Sequence, residues 1–160
     1  MQTTSPARVQ LALNVDDIEA ATAFYSRLFG VEPAKTRPGY ANFAIANPPL
    51  KLVLIENKGQ GGTRNHLGVE VASVDDVDHV QTRLAETGLA SVDERGTTCC
   101  YATQDKFWVE GSPDGERWEI YTVLADSPTF FAEQITTAQD AGCCSPGASS
   151  DAEPAAASCC

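Results

Sequence analysis

The chain has 160 residues, 42% of them hydrophobic, and a formal net charge of -11. That length suffices for one core of ordinary size, or for two small modules sharing one. The charge excludes a polyanion partner, because a nucleic-acid binder needs a basic face to release counterions from phosphates; an acidic surface of this kind reads first as solubility. The opening MQTTSPARVQLALNV has no long apolar run behind a basic segment, and no stretch approaches membrane-spanning length. A cytoplasmic protein with neither a nucleic-acid nor a membrane partner is therefore expected.

Taken in order, residues 9–14 alternate, with Val9, Leu11 and Leu13 on one face and Gln10, Ala12 and Asn14 on the other, as in a half-buried strand. Asp16 or Asp17 can cap a helix running to about Phe29, with Ile18, Ala21, Phe24, Tyr25 and Leu28 as its apolar stripe and Gly30 to end it. Three short strands follow near 34–37, 41–46 and 50–56, punctuated by Pro38-Gly39 and Asn47-Pro48-Pro49. The polar, glycine-rich stretch 57–65 lacks the strand-to-helix context of a phosphate loop and reads as a connector.

The pattern then restarts. Leu67, Val69 and Val71 alternate with His66, Gly68 and Glu70, and Val74-Asp75-Asp76 echoes Val15-Asp16-Asp17 in opening a second helix that stops near Gly88. Strands near 91–94, 97–102, 106–110 and 117–123 complete the second unit. The expectation is an α+β domain over 1–139 of two tandem βαβββ modules, about 8–57 and 65–124, sharing one cleft, with a short helix at 128–139. The remainder, 140–160, is poor in large apolar residues and is expected to be a disordered tail.

The stretch from Cys99 to Glu119 concentrates the chemistry: two adjacent thiols, an aromatic strand, a turn at Ser112-Pro113-Asp114-Gly115 and a carboxylate. All six cysteines fall in adjacent pairs, Cys99-Cys100, Cys143-Cys144 and Cys159-Cys160. Neighbours in sequence close a strained ring if joined, so the pairs read as dithiol chelators in a reducing compartment rather than as a disulfide framework. Their spacing does not fit CxxC zinc sites. Because adjacent residues of a strand face opposite ways, two thiols can hold one atom only if the backbone there is irregular, and an irregular, mobile segment is expected around 95–106.

The repeat gives Gln10 and His66 equivalent positions, and alternation puts Glu119 on a face with Tyr121. An O, N, O donor set on one side of a metal leaves the opposite positions free for small molecules. Spacing alone favours the plainer reading in which Gln10 and Glu119 are solvated strand residues and His66 a hydrogen-bonded loop residue. His79 reads as solvent-facing on the second helix.

VQLALNVDDIEAATAFYSRLFGVEP resembles the opening of the vicinal oxygen chelate superfamily, the glyoxalase, bleomycin-resistance and extradiol-dioxygenase group. HLGVEV resembles its second ligand strand, and SPDGERWEIY its closing DPDGxxxEL motif. The resemblance spans nearly all of 9–123 and implies Gln10, His66 and Glu119 as metal ligands; Gln10 replaces the histidine common in iron members. Thr97-Thr98-Cys99-Cys100-Tyr101 before KFWVEGSPDGERWEIY, with a cysteine-paired tail, is similar to the carbon-arsenic lyases, often labelled cadmium-induced proteins. That resemblance implies cleavage of trivalent methyl- or aryl-arsenicals to arsenite by Fe(II) and dioxygen, although Ni, Co, Mn or Zn also suit the donors.

Cys99 and Cys100 would bind arsenic, with Tyr101, Phe107, Trp108 and Tyr121 as candidate pocket wall and Cys143, Cys144, Cys159 and Cys160 as accessory capture. A glyoxalase-like isomerase, a thiol transferase and a non-enzymatic arsenite- or cadmium-binding protein are the competing expectations. A monomer or homodimer is expected, since two modules in one chain permit a complete site.

Overall fold

The computed structural model describes residues 7–131. Its elements are β1 (Arg8–Val15), α1 (Ile18–Phe29), β2 (Lys35–Arg37), β3 (Tyr40–Ile45), β4 (Leu50–Glu56), β5 (Arg64–Glu70), α2 (Val74–Glu86), β6 (Ser91–Cys99), β7 (Ala102–Val109) and β8 (Trp118–Asp126). This is βαβββ twice, an α+β fold. All eight strands form one mixed sheet in the order β2-β3-β4-β1-β5-β8-β7-β6. The order is the same read outward from the centre in either direction: β1 is parallel to β4, β5 is parallel to β8, and β1 and β5 meet antiparallel with Leu11 opposite Leu67.

Local chemistry sets the helices. Asp17 caps α1 by accepting from the Ala20 N–H at 2.8 Å, and Gly30 ends it in the left-handed conformation at φ 66°. Ser73 caps α2 in the same way, accepting from Asp76 at 3.1 Å. Ile18, Ala21, Tyr25 and Phe29 pack against Leu11 and Leu13 of β1 and the buried Phe43, Leu52 and Leu54. Phe24 and Leu28, expected in that stripe, are exposed, because they lie a quarter-turn or so round the helix from the line 18-21-25-29. In the second half Val77, Val80 and Leu84 of α2 pack on Val71, Phe107 and Ile120.

Both helices thus cover the large-apolar face of the sheet, leaving the small and polar face to line a cleft. The sheet curls until its ends approach: Lys35 of β2 donates to the Tyr101 carbonyl at 3.1 Å and pairs with Asp126 of β8, and the Tyr101 hydroxyl donates to the Pro38 carbonyl at 3.3 Å. Twist accumulated over eight strands makes such curling the ordinary outcome.

Two expectations are corrected here. The predicted strands 91–94 and 97–102 are a single strand, β6, interrupted by a register shift between Glu94 and Thr97 where Gly96 takes φ 59°, and it stops at Cys99 rather than Ala102. Of the predicted helix 128–139, only 128–131 are described, and they are not helical: Phe131 bridges to Cys99, while Phe130 packs on Tyr40 and Tyr101. The rest of that segment, and 140–160, lie outside the described residues. No described helix is long and apolar enough to cross a membrane.

Candidate metal centre and substrate cavity

Gln10 and His66 are each the third residue of their module's first strand, on opposite sides of the Leu11–Leu67 pair. Across the sheet Gln10, Gly68 and Glu119 stand side by side on β1, β5 and β8. Gly68 lets the flanking side chains lean together, since a Cβ there would lie 3.0 Å from the Glu119 carbonyl oxygen and 3.4 Å from the Cβ atoms of both Gln10 and Glu119. His66 enters from one pleat further along β5. The result is convergence: Gln10 Nε2 lies 2.9 Å from His66 Nε2 and 3.0 Å from Glu119 Oε2, and His66 Nε2 lies 3.2 Å from Glu119 Oε2. All three are buried, at 5%, 6% and 2% exposure, so Gln10 and Glu119 are not solvated strand residues, and His66, though hydrogen-bonded to Asn65, lies in β5 rather than in a loop.

These distances suit a metal. Donors on adjacent corners of an octahedron, each about 2.1 Å from a common ion, stand about 3.0 Å apart. His66 Nδ1 sits 2.7 Å from the Asn65 side-chain oxygen, which assigns the ring proton to Nδ1 and aims the Nε2 lone pair at Glu119 Oε2. Two acceptors at 3.2 Å call for a proton, an N–H or a cation between them. The Gln10 amide N–H group fills that role here, with its Oε1 accepting from the Tyr121 hydroxyl. A half-turn of the amide presents oxygen instead, and the Tyr121 hydroxyl can then accept the N–H. Among the described residues no three His, Cys, Asp or Glu side chains form such a cluster; an amide supplies the third donor.

Lys106, which sequence reading passed over, is 1% exposed and donates to Glu119 Oε1 at 3.0 Å, with Glu94 3.3 Å away on its other side. Burial alone would lower the Lys106 pKa; the two carboxylates, Glu119 foremost, outweigh it and hold the ammonium above the ordinary lysine range. Burial likewise pushes Glu119 up, and the neighbouring His66 and Lys106 outweigh that, leaving a carboxylate below its usual range. The signal in the sequence was positional: Lys106 falls opposite Tyr121, two residues beyond Glu119, once β7 and β8 form a hairpin. Tyr121 is 1% exposed, and burial with the nearby Glu70 and Glu119 charges keeps its hydroxyl protonated.

The thiols occupy the β6–β7 turn. Cys99 pairs with Ala102, so Cys100 and Tyr101 form a two-residue hairpin turn with φ 54° and 61°, both left-handed. That turn is the irregularity the dithiol argument required; most of the remainder of 95–106 is regular hairpin rather than loop. The two Sγ atoms stand 3.2 Å apart, beyond the roughly 2.05 Å of an S–S bond. The expectation of two free thiols holds for Cys100; Cys99 is in a disulfide, so both are available only once that bond is reduced. Burial first, and the Glu119 charge second, push the Cys100 thiol up to about 12.

Cys100, Gln10, Glu119 and Tyr121 line one cavity of about 320 Å³. Tyr101 packs outside it against Tyr40 and Phe130, and Phe107 points the other way, into the core under α2. Trp108 lies edge-on to His66 with centroids 5.6 Å apart and borders a separate cavity of about 190 Å³ with Arg64, Glu116 and Arg117. Of the four candidate wall residues, Tyr121 alone lines the cavity of Cys100, Gln10 and Glu119; His66, like Trp108, borders the smaller one.

A family model described as the Glyoxalase/Bleomycin resistance protein/Dioxygenase superfamily matches residues 8–120. The chain belongs to this superfamily. Within it, "Trivalent organoarsenical cleaving enzyme" of Thermomonospora curvata is 56% identical over 156 residues, covering 96% of this chain and 99% of that protein. "Cadmium-induced protein CadI" of Mycobacterium tuberculosis is 71% identical over 124 residues, 78% of this chain and 81% of its own length. Among solved structures, the Mn(II)-bound glyoxalase from Novosphingobium aromaticivorans superposes with a TM-score of 0.53 at 21% identity, over 76% of this chain and 42% of that one. At that identity the likeness concerns the superfamily fold.

Proposed function

We propose that this chain is a carbon–arsenic lyase, in which a ferrous ion held by Gln10, His66 and Glu119 acts with dioxygen to convert trivalent methyl- or aryl-arsenicals to arsenite. Cys99 and Cys100 hold the arsenic. The observation that carries this reading is that Cys100 lines the same cavity as Gln10 and Glu119. The name borne by the Thermomonospora curvata relative, matched over nearly its whole length, supports it. An iron so bound supplies redox and Lewis-acid activation at its open positions.

The chain's residues do the rest. With Cys99 reduced, two thiols displace both hydroxyls of R–As(OH)₂; two As–S bonds form, two As–O bonds break, each thiol proton leaves in water, and arsenic keeps its oxidation state. Lys106 occupies Glu119 Oε1 and leaves Oε2 for the metal, which keeps the carboxylate to one oxygen and other positions open. Tyr121 fixes Gln10. A cavity of about 320 Å³ is at the lower end of the range for small-molecule sites, roughly 300–1,000 Å³, and admits an aryl as well as a methyl group.

The test is arsenite release from methylarsenite by the reduced full-length protein, loaded anaerobically with ferrous iron and then given or denied dioxygen. Release is expected only with both, and Glu119→Ala should abolish it while leaving arsenical binding intact. Arsenical that stays on the thiols without release under every condition would favour the non-enzymatic soft-metal reading.

A further inference from the structure

Of the charged side chains that line the cavity of Cys100, Gln10 and Glu119, Lys51 is the least engaged. Arg8 donates to Glu70 twice, through Nε at 3.0 Å and Nη2 at 3.3 Å; Lys35 pairs with Asp126; Glu119 accepts from Lys106. Among the described residues the one ion-pair partner of Lys51 is Glu70 Oε2, at 3.7 Å, beyond hydrogen-bond distance. With Glu70 committed to Arg8, the Lys51 ammonium is a surplus positive charge. It is also open: its side chain is 15% exposed, and the one side-chain nitrogen or oxygen among the described residues that is both enclosed and without a hydrogen bond is Gln104 Oε1, not Lys51 Nζ. Burial holds Lys51 below the ordinary lysine range in spite of Glu70, so an anion beside it would be welcome.

Its place in the sheet says which anion. Lys51, Gln10, Gly68 and Glu119 form one row across β4, β1, β5 and β8. Cys100 packs on Tyr40 and Val53, and Val53 lies two residues from Lys51 on the same face of β4, roughly 6.8 Å away. The two ends are close enough for the Lys51 charge to act on the Cys100 thiol. That separation is about the reach of a phenyl ring and its para substituent. An aryl group on arsenic at the cysteine turn, with its attached carbon beside Gln10 and Glu119, therefore carries its far end towards Lys51.

Resting on the proposed lyase reading, we infer that Lys51 binds an anionic substituent on the organic group of the arsenical, so that the cavity prefers aryl-arsenicals bearing an acidic group on the ring over neutral ones. Lys51 is then a specificity residue. It touches the part of the substrate that does not react, and a methyl-arsenical, which has no such part, leaves it unused.

The test needs neither iron nor turnover. In full-length reduced protein with Cys143, Cys144, Cys159 and Cys160 replaced by serine, affinities for 4-carboxyphenyl-, 4-carbamoylphenyl- and unsubstituted phenylarsenous acid are measured by calorimetry. The carbamoyl compound has the shape of the carboxylate without its charge. The parent should bind the carboxylate about tenfold more tightly than the carbamoyl compound, as one charge-assisted contact would give. Lys51→Met should remove that preference and leave unsubstituted phenylarsenous acid within about twofold, with Tm held because Glu70 keeps Arg8; should it fail to fold, Lys51→Gln carries the same comparison. Equal affinity for the two substituted compounds in the parent, a preference that survives the loss of Lys51, or equal weakening of all three would overturn the assignment of Lys51 while the lyase reading stands. If Cys100→Ser left all three affinities unchanged, arsenic would not lie in this cavity, and the thiol assignment would fail together with this inference.

Discussion

Glu119 has two oxygens with different partners, and the site depends on their staying different. Oε1 is committed to Lys106, and Oε2 meets His66 and Gln10. Removing one member of so buried an ion pair leaves an uncompensated charge, so Lys106→Met should destabilise the fold by about 3–5 kcal/mol in denaturant unfolding. Adding Glu119→Gln should return much of that loss, because the uncompensated carboxylate is then gone. A single variant as stable as the parent would show that the pair does not hold the site together. Cys100 offers a second check at this scale. With its thiol pushed up to about 12, against an ordinary value near 8.5, the folded state keeps a proton that the unfolded chain sheds. The associated stability is therefore whole below about pH 8.5 and drains away as pH rises towards 12. Alkylation of Cys100 should accelerate about tenfold per pH unit through pH 9.5 without levelling off. A plateau near pH 9 would mean an ordinary, solvated thiol.

At the scale of strands, the position that organises the site carries no side chain. Gly68 sits between Gln10 and Glu119 in register, and Gly68→Ala should push them apart, weakening Co(II) binding by about tenfold or more while helix content by circular dichroism stays the same. Unchanged affinity would show that the sheet accommodates the methyl group. Much of this level was legible in the sequence. Alternation located β1 and β5, the repeated Val-Asp-Asp located both helix starts, and the repeat itself gave two βαβββ units. The candidate metal donors rest on pattern and resemblance together, since spacing alone does not separate them from solvated strand residues. What stayed hidden has physical reasons. A hairpin turn with two left-handed residues is ordinarily signalled by Asn-Gly, and Cys100-Tyr101 gives no such sign, so the strand was carried through it. A bulge at Gly96 resembles a break between strands when only sequence is read. Lys106 is buried because two carboxylates from β6 and β8 meet it there, a coincidence visible only in the sheet register.

For the molecule as a whole, the three donors come from β1, β5 and β8, so an ion bound to them would tie the first module to the second across the central antiparallel pair. The two halves otherwise keep separate helix-covered cores, one under α1 and one under α2, joined through the sheet, the Lys35–Asp126 contact across the cleft and the packing of Tyr40 on Tyr101 and Phe130. Metal binding to the folded state alone should therefore raise the stability of both halves together. A divalent ion at a hundred times its dissociation constant adds about 2.7 kcal/mol, which for a domain of this size is a rise in Tm of roughly 8 °C. Scanning calorimetry with Co(II), anaerobically, should show one transition moving upward as a unit. His66→Ala or Glu119→Ala should erase the shift, and Gln10→Ala, which removes the only donor from the first module, should reduce it. An equal shift in Glu119→Ala would place the ion elsewhere, for instance on the cysteine pairs. Two transitions, of which only the second module's moved, would mean that Gln10 takes no part in holding it.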